Sequence, residues 1–115
     1  MTVKRSVAII ATTSVEEVRA FYEDLFGLGV AMDHGWIVTL ASGGTAPTQL
    51  SIASEGGSGT PVPALSIKVE DVDTNCERAR SLGHPIAYGI TDELWGVRRF
   101  YVTDPAGTRI NVLSH

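Results

Sequence analysis

Histidine, cysteine and carboxylate side chains carry most enzyme chemistry, and this chain offers few of them in workable arrangements. Its three histidines are His34 in a turn, His84 between a helix and a strand, and His115 at the last position. Their spacings match no metal-binding motif. Cys76, the one cysteine, has no histidine or other thiolate-stabilising group in register and lies on an apolar helical stripe, so it reads as a core residue. Asp92 and Glu93 are the acidic candidates. Neither has a basic partner at the spacing of a general acid–base pair, so both read as surface carboxylates. No catalytic residue is assigned.

Groups that could hold a ligand are better represented. Arg98 and Arg99 are neighbours on a strand, so only one faces each side, and Arg99 shares parity with Tyr101. Arg99 could pair with a ligand oxygen or stack on an aromatic ring, or it could form a salt bridge across a sheet or a dimer seam. Trp95, in the loop after Thr91-Asp92-Glu93, could stack on a planar ligand or plug a hydrophobic edge. Trp36 and Tyr88 carry the same pair of readings. Ser51, Ser66 and Asn111 could hydrogen-bond a ligand or stand solvated on a sheet face.

The elements that position these residues follow from periodicity. Ser14 and Glu17 have capping-box spacing, and Val15, Val18, Phe21, Tyr22, Leu25 and Phe26 share one stripe up to Gly27, which predicts a helix. Asp71 caps a second helix with Val72, Cys76, Ala79 and Leu82 on its apolar face and Gly83 at its end. Short β-branched runs precede both, at Val7–Ala11 and Leu65–Val69. Strands follow each helix, at Gly29–Met32, Trp36–Ala41 and Gln49–Ala53, then at Ile86–Ile90, Val97–Thr103 and Thr108–Leu113. Turn chemistry separates them at Ser42–Pro47 and at Asp104-Pro105-Ala106-Gly107. The two caps lie 57 residues apart and the two stop glycines 56 apart. That is half the chain, the mark of an internal duplication.

The expected architecture is therefore α+β: two tandem β-α-β-β-β modules, about 1–57 and 61–115, in one domain of 115 residues, with Glu55–Pro63 as the linker. Strand alternation turns Leu65, Ile67, Val69, Phe100, Val102, Ile110 and Val112 toward the second helix. Ala64, Ser66, Lys68, Arg99, Tyr101, Thr103, Arg109 and Asn111 then face the other way, and Gln49 and Ser51 do so in the first half. A net charge of −4 gives no electrostatic reason to expect nucleic acid. The lack of a long apolar run argues against membrane insertion, and a lone cysteine fits a reducing cytoplasm.

The stretch from Val15 to Leu28 (VEEVRAFYEDLFGL), the segments Val69–Val72 and Ser81–Gly83, and Trp95–Phe100 with Thr103–Gly107 together resemble the vicinal oxygen chelate superfamily. That superfamily includes glyoxalase I, bleomycin-resistance proteins and extradiol dioxygenases, and the resemblance covers nearly the whole chain. It implies paired modules forming a curved sheet around a concave cleft, often completed by dimerisation. It also implies that metal-using members place ligands at the positions held here by Val7, Ser51, Ala64 and Asn111. Two of those residues have no donor atom, and a divalent ion needs several strong donors. No metal or cofactor is therefore expected.

The function expected is a metal-free small-molecule binding protein of the bleomycin-resistance kind, homodimeric and cytoplasmic. Trp36, Ser51, Ser66, Tyr88, Trp95, Arg99, Tyr101 and Asn111 are its ligand-binding residues. The alternatives are a glyoxalase-like lyase, dioxygenase or isomerase with a non-standard site, and a protein that keeps the fold for dimerisation or regulation alone.

Overall fold

The computed structural model describes residues 2–43 and 48–115. It is a mixed α+β structure whose elements run β1 (Val3–Ala11), α1 (Val15–Phe26), β2 (Gly29–Asp33), β3 (Ile37–Ala41), β4 (Gln49–Ala53), β5 (Leu65–Val69), α2 (Val72–Ser81), β6 (Ile86–Asp92), β7 (Arg98–Thr103) and β8 (Arg109–Ser114). The strand-helix-strand-strand-strand order thus occurs twice. Two compact units correspond to it, one of Val7–Val62 and one of Pro63–His115 with Met1–Ser6. Each is described by itself.

In the N-terminal unit the strand order is β2-β3-β4-β1. β4 pairs antiparallel with β3 and in parallel with β1, whose Ala8 lies opposite Leu50. One side of this sheet carries the fully buried Val38, Leu40 and Ile52, packed with Ile10, Leu50 and the α1 residues Val15, Val18 and Tyr22. The expected stripe on α1 is divided. Val15, Val18 and Tyr22 meet the sheet, whereas Phe21, Leu25 and Phe26 are more than half exposed. These outer side chains cluster on themselves: Phe26 stacks on Tyr22 at 5.9 Å, and Phe21 meets Tyr22 edge-on at 5.0 Å. Among the described residues, Phe21, Leu25 and Phe26 belong to neither buried cluster.

The capping box is not formed. Ser14 has φ −118° and ψ 61°, and its hydroxyl caps no helix N–H. Its own N–H donates instead to Thr12 Oγ1 at 2.9 Å, so the local turn has taken the place of the cap. Gly27 does end the helix, at φ 69°, with its N–H on the Glu23 carbonyl. Gly44 to Pro47 of the expected turn lie outside the described residues, but its flanks are joined, Thr48 N–H donating to Ser42 Oγ at 2.9 Å.

In the C-terminal unit the strand order is β5-β8-β7-β6, again with the first strand of the module parallel to the last. Val69, Phe100 and Val112 form its buried core with Val72 and Cys76 of α2, joined by Ile67, Val102 and Ile110. Strand parity required this for those residues, while Leu65 is half-buried outside the cluster. Asp71 caps α2 as expected: its carboxylate accepts from Thr74 N–H at 3.1 Å and from Thr74 Oγ1 at 2.8 Å. Beyond the helix, Gly83 at φ 80° lets His84 N–H return to the Ala79 carbonyl, which satisfies the helix end. The Asp104–Gly107 hairpin turn is held by Asp104 Oδ1, which accepts from the N–H groups of Ala106 and Thr108, both at 2.9 Å.

The segment expected as the linker, Glu55–Pro63, contains a folded turn. Gly56, Gly57 and Pro63 are buried, and Gly56 N–H donates to the Thr60 carbonyl at 2.9 Å. Ser58 takes a left-handed φ of 52° between two glycines that do the same.

Arg98 fastens α2 to the hairpin of β6 and β7. It holds Asp73, in the first turn of α2, at 2.8 Å, and Asp92 at 3.0 Å. The hydrogen bond from Arg98 lowers the Asp73 pKa below its ordinary value of 3.8. A carboxylate depressed on folding stabilises the fold above its ordinary value and loses that contribution as pH falls through the depressed one. Thermal melts of the wild type and Asp73→Asn should therefore differ most near neutral pH. The gap should close as pH falls below 3.8, and a constant gap across that range would show that the ion pair is not its source.

Candidate ligand-binding site

Tyr88, Trp95, Arg99 and Tyr101 of the C-terminal unit come from one hairpin, β6 and β7, and Ser66 and Asn111 from the neighbouring β5 and β8. At the hairpin turn, Glu93 N–H donates to the Val97 carbonyl at 2.8 Å and Gly96 N–H to the Glu93 carbonyl at 3.2 Å. This encloses Leu94, Trp95 and Gly96 in a three-residue loop with its third residue left-handed. Gly96 has φ 89°, and a Cβ added there would meet nothing within 4 Å. Backbone angle, not space, is what requires glycine. Leu94 points fully into solvent, and Trp95 is half-buried.

Register from this turn sorts the charged side chains. Asp92 lies opposite Arg98 and Thr91 opposite Arg99, so Arg98 goes to the α2 side and Arg99 to the other, where Glu93 is its diagonal neighbour. Glu93 is therefore not a surface carboxylate. Its side chain and that of Arg99 are 3% and 4% exposed and meet at 2.6 Å. Asp92 alone keeps the expected exposure, at 77% of its side chain. The signal for Glu93 was present in the sequence as Gly96, since a tight turn at Trp95-Gly96 puts Glu93 and Arg99 on one face. The strand expected over Ile86–Ile90 runs on to Asp92, which brings Glu93 to the edge of the turn.

Three rings surround the pair. The Arg99 guanidinium carbon lies 4.9 Å from the centre of the Trp95 ring, 5.0 Å from Tyr101 and 5.4 Å from Tyr88. Tyr88 Oη donates to Glu93 Oε2 at 3.2 Å, and Arg99 Nη1 donates to Tyr101 Oη at 3.0 Å. Simple alternation would send Tyr88 to the α2 side with Ile86 and Ile90, which do pack there. The register of β6 shifts on both sides of Tyr88, and these bulges turn its ring toward Arg99. Tyr101 is 1% and Arg99 3% exposed, whereas Tyr88 and Trp95 are half-buried and keep ring surface in reach of solvent.

Across the same face, Tyr101 lies opposite Asn111, and Asn111 opposite Ser66. Asn111 Nδ2 donates to Ser66 Oγ at 3.0 Å. Its Oδ1 is buried and has no hydrogen-bond partner among the described residues. Trp36 and Ser51 belong to the N-terminal unit. Trp36 stacks on His34 at 6.3 Å and 18°, and Ser51 Oγ shares a 2.8 Å hydrogen bond with Thr39 Oγ1.

The residues at the metal positions do not fit a divalent ion. Val7 and Ala64 offer no donor, the Ser51 hydroxyl is shared with Thr39, and Asn111 is a neutral amide. Among the described residues, no group of three or more His, Cys, Asp or Glu side chains could hold a metal.

A charge buried this deeply is tolerated because its partner is present, so removing one member should cost far more than removing both. Arg99→Met and Glu93→Gln are each expected to lower unfolding free energy by about 3–5 kcal/mol. The double variant Arg99→Met/Glu93→Gln should lose much less than the sum of the single losses. Urea unfolding of the four proteins checks this, and additive losses would mean that the pair is not coupled.

Comparison with known proteins gives this geometry a family. The family model for the Glyoxalase/Bleomycin resistance protein/Dioxygenase superfamily matches residues 5–112, while no curated protein matches the sequence. Among solved structures, a superfamily member from Vibrio splendidus 12B01 is 18% identical with TM-score 0.66, covering 99% of this chain and 100% of that one. A protein described as an NAD-dependent benzaldehyde dehydrogenase from Legionella pneumophila is 14% identical with TM-score 0.77, covering 96% and 98%. Methylmalonyl-CoA epimerase from Mycobacterium tuberculosis is 18% identical with TM-score 0.59, covering 97% and 86%. At these identities the likeness concerns the fold alone. The sequence match over nearly the full length carries more: the chain belongs to the glyoxalase/bleomycin resistance protein/dioxygenase superfamily.

Proposed function

We propose that this chain is a metal-free binding protein of the bleomycin-resistance kind, which sequesters a flat aromatic or amphipathic compound without converting it. The observation that carries this reading is the hairpin that holds half-buried Tyr88 and Trp95 over a charge-neutralised Arg99–Glu93 pair. Half-exposed rings on a rigid base offer stacking area at little conformational cost. Ser66, Tyr101 and Asn111 extend the same face with polar edges. Trp36 and Ser51 are candidate contacts of the N-terminal unit. The poor donor set at Val7, Ser51, Ala64 and Asn111 supports binding without a metal, and the buried, free thiol of Cys76 suits a reducing cytoplasm. Sequestration of an antibiotic is one biological use such a face would serve.

Tryptophan fluorescence tests the proposal. In Trp36→Phe, leaving Trp95 as reporter, planar aromatic antibiotics and aromatic metabolites are titrated in. At least one is expected to quench or shift the emission, with the response lost in Trp95→Phe. No response to any compound would sink the binding reading. Stoichiometric divalent metal in the purified protein would replace it with a superfamily enzyme using unexpected ligands.

The proposal includes a homodimer. It is supported by the exposed apolar side chains of Phe21, Leu25, Phe26, Val30 and Met32 and by β2, exposed at every position, since exposed apolar surface and unpaired strand edges mark association sites. Sedimentation equilibrium should give twice the chain mass of 12.2 kDa, and Leu25→Glu should shift it toward the monomer. A wild-type monomer at all concentrations would remove the dimer from the proposal.

A further inference from the structure

The sequence offers Arg99 as the group that reads a ligand's polar end, but its position makes it a poor reader. Nε and Nη2 are held by Glu93, both at 2.6 Å, and Nη1 by Tyr101 at 3.0 Å. The fork is already committed within the protein. One cross-strand place from Tyr101 the situation reverses. Asn111 is 8% exposed, its Nδ2 is engaged with Ser66 Oγ at 3.0 Å, and its Oδ1 is buried with no partner among the described residues.

A buried carbonyl oxygen without a donor is expensive to leave so, and such groups in folded proteins call for an explanation. Ile110 and Val112, the neighbours of Asn111 on β8, belong to the α2 core. Alternation therefore puts the amide on the face that carries Ser66, Tyr101 and the ring-enclosed Arg99. Asn111 as a residue keeps 8% of its surface, so a small turn of its amide would bring the oxygen to a donor supplied from outside, which would satisfy it where the protein does not.

Resting on the binding function proposed above, we infer that Asn111 sets the specificity of the site and that its ligand is a flat ring system bearing an N–H or O–H donor. The ring lies against Trp95 and Tyr88, and the donor reaches Asn111 Oδ1. Arg99 and Glu93 hold the rings in place and take no part in reading the polar group. A polar atom matched only by the right ligand discriminates strongly, because an analogue lacking the donor leaves it unmatched.

Four probes of similar shape separate the possibilities: indole, with a ring N–H; 1-methylindole, with that donor removed; quinoline, with an acceptor only; and indole-2-carboxylate, with an anionic group. Each is titrated into the 15N-labelled protein, following the Trp95 ring N–H and the Asn111 side-chain amide by NMR. Indole should bind about tenfold tighter than 1-methylindole and quinoline. That preference should vanish in Asn111→Leu and persist in Asn111→Asp, which keeps an acceptor at the same place. The spectra themselves show whether each variant is folded, and Asn111→Asp tests the inference if Asn111→Leu is not.

Equal binding of indole and 1-methylindole by the wild type would overturn the inference and leave the binding function standing. Tighter binding of quinoline, or of the carboxylate, would also overturn it, since the site would then present a donor or a cation. If no probe shifts either signal, the inference and the binding function fall together.

Discussion

The ion pair between Arg99 and Glu93 constrains the C-terminal unit more than any other contact. Two charges withdrawn from water must be matched almost completely, or the unit would have no reason to fold around them. Matching here demands a turn that brings Glu93 back over Arg99, a left-handed Gly96 to make that turn, and bulges that swing Tyr88 across. Trp95, Tyr88 and Tyr101 then exclude water from the guanidinium. Each ring is placed by the pair, and the pair is tolerable because of the rings. The result is a preorganised aromatic surface whose central charge is already cancelled.

The duplicated topology has been put to different uses in its two copies. Both units run strand, helix and three strands, with the first strand parallel to the last. In the C-terminal copy the helix is short, properly capped by Asp71 and pinned by Arg98, and the opposite sheet face carries the charged and aromatic residues. In the N-terminal copy the helix is longer, lacks its side-chain cap, and leaves an aromatic cluster outside the core. Its opposite face carries the Thr39–Ser51 hydroxyl pair. Backbone architecture survives such divergence because it depends on the apolar parity of strands, which both copies retain.

Membership of a superfamily with many chemistries leaves the function to side chains. At the positions that the resemblance implies for metal ligands, this chain has two aliphatic residues, a hydroxyl in a hydrogen bond and an amide. Its polar investment lies along one hairpin and the neighbouring Asn111 and Ser66. The proposed recognition rests on that arrangement: the rings would give contact area, and the unmatched Asn111 acceptor would give selectivity.

Sequence alone determined the elements and their order, the helix stops at Gly27 and Gly83, the Asp71 cap, and the separation of Arg98 from Arg99. These follow from local rules, either the period of a helix or strand or the backbone freedom of one residue. The tertiary structure decided the rest. Ser14 looks like a cap, but Thr12 takes its N–H. The stripe on α1 is continuous in sequence, yet only the residues lying over buried strands could be covered. Tyr88 has the parity of Ile86 and Ile90 and faces the other way, because bulges change parity without leaving a pattern in the residues. Glu93 looked like a solvated carboxylate because its partner lies six residues on, across a turn. That distance has no meaning until the hairpin register exists, and register is a property of paired strands.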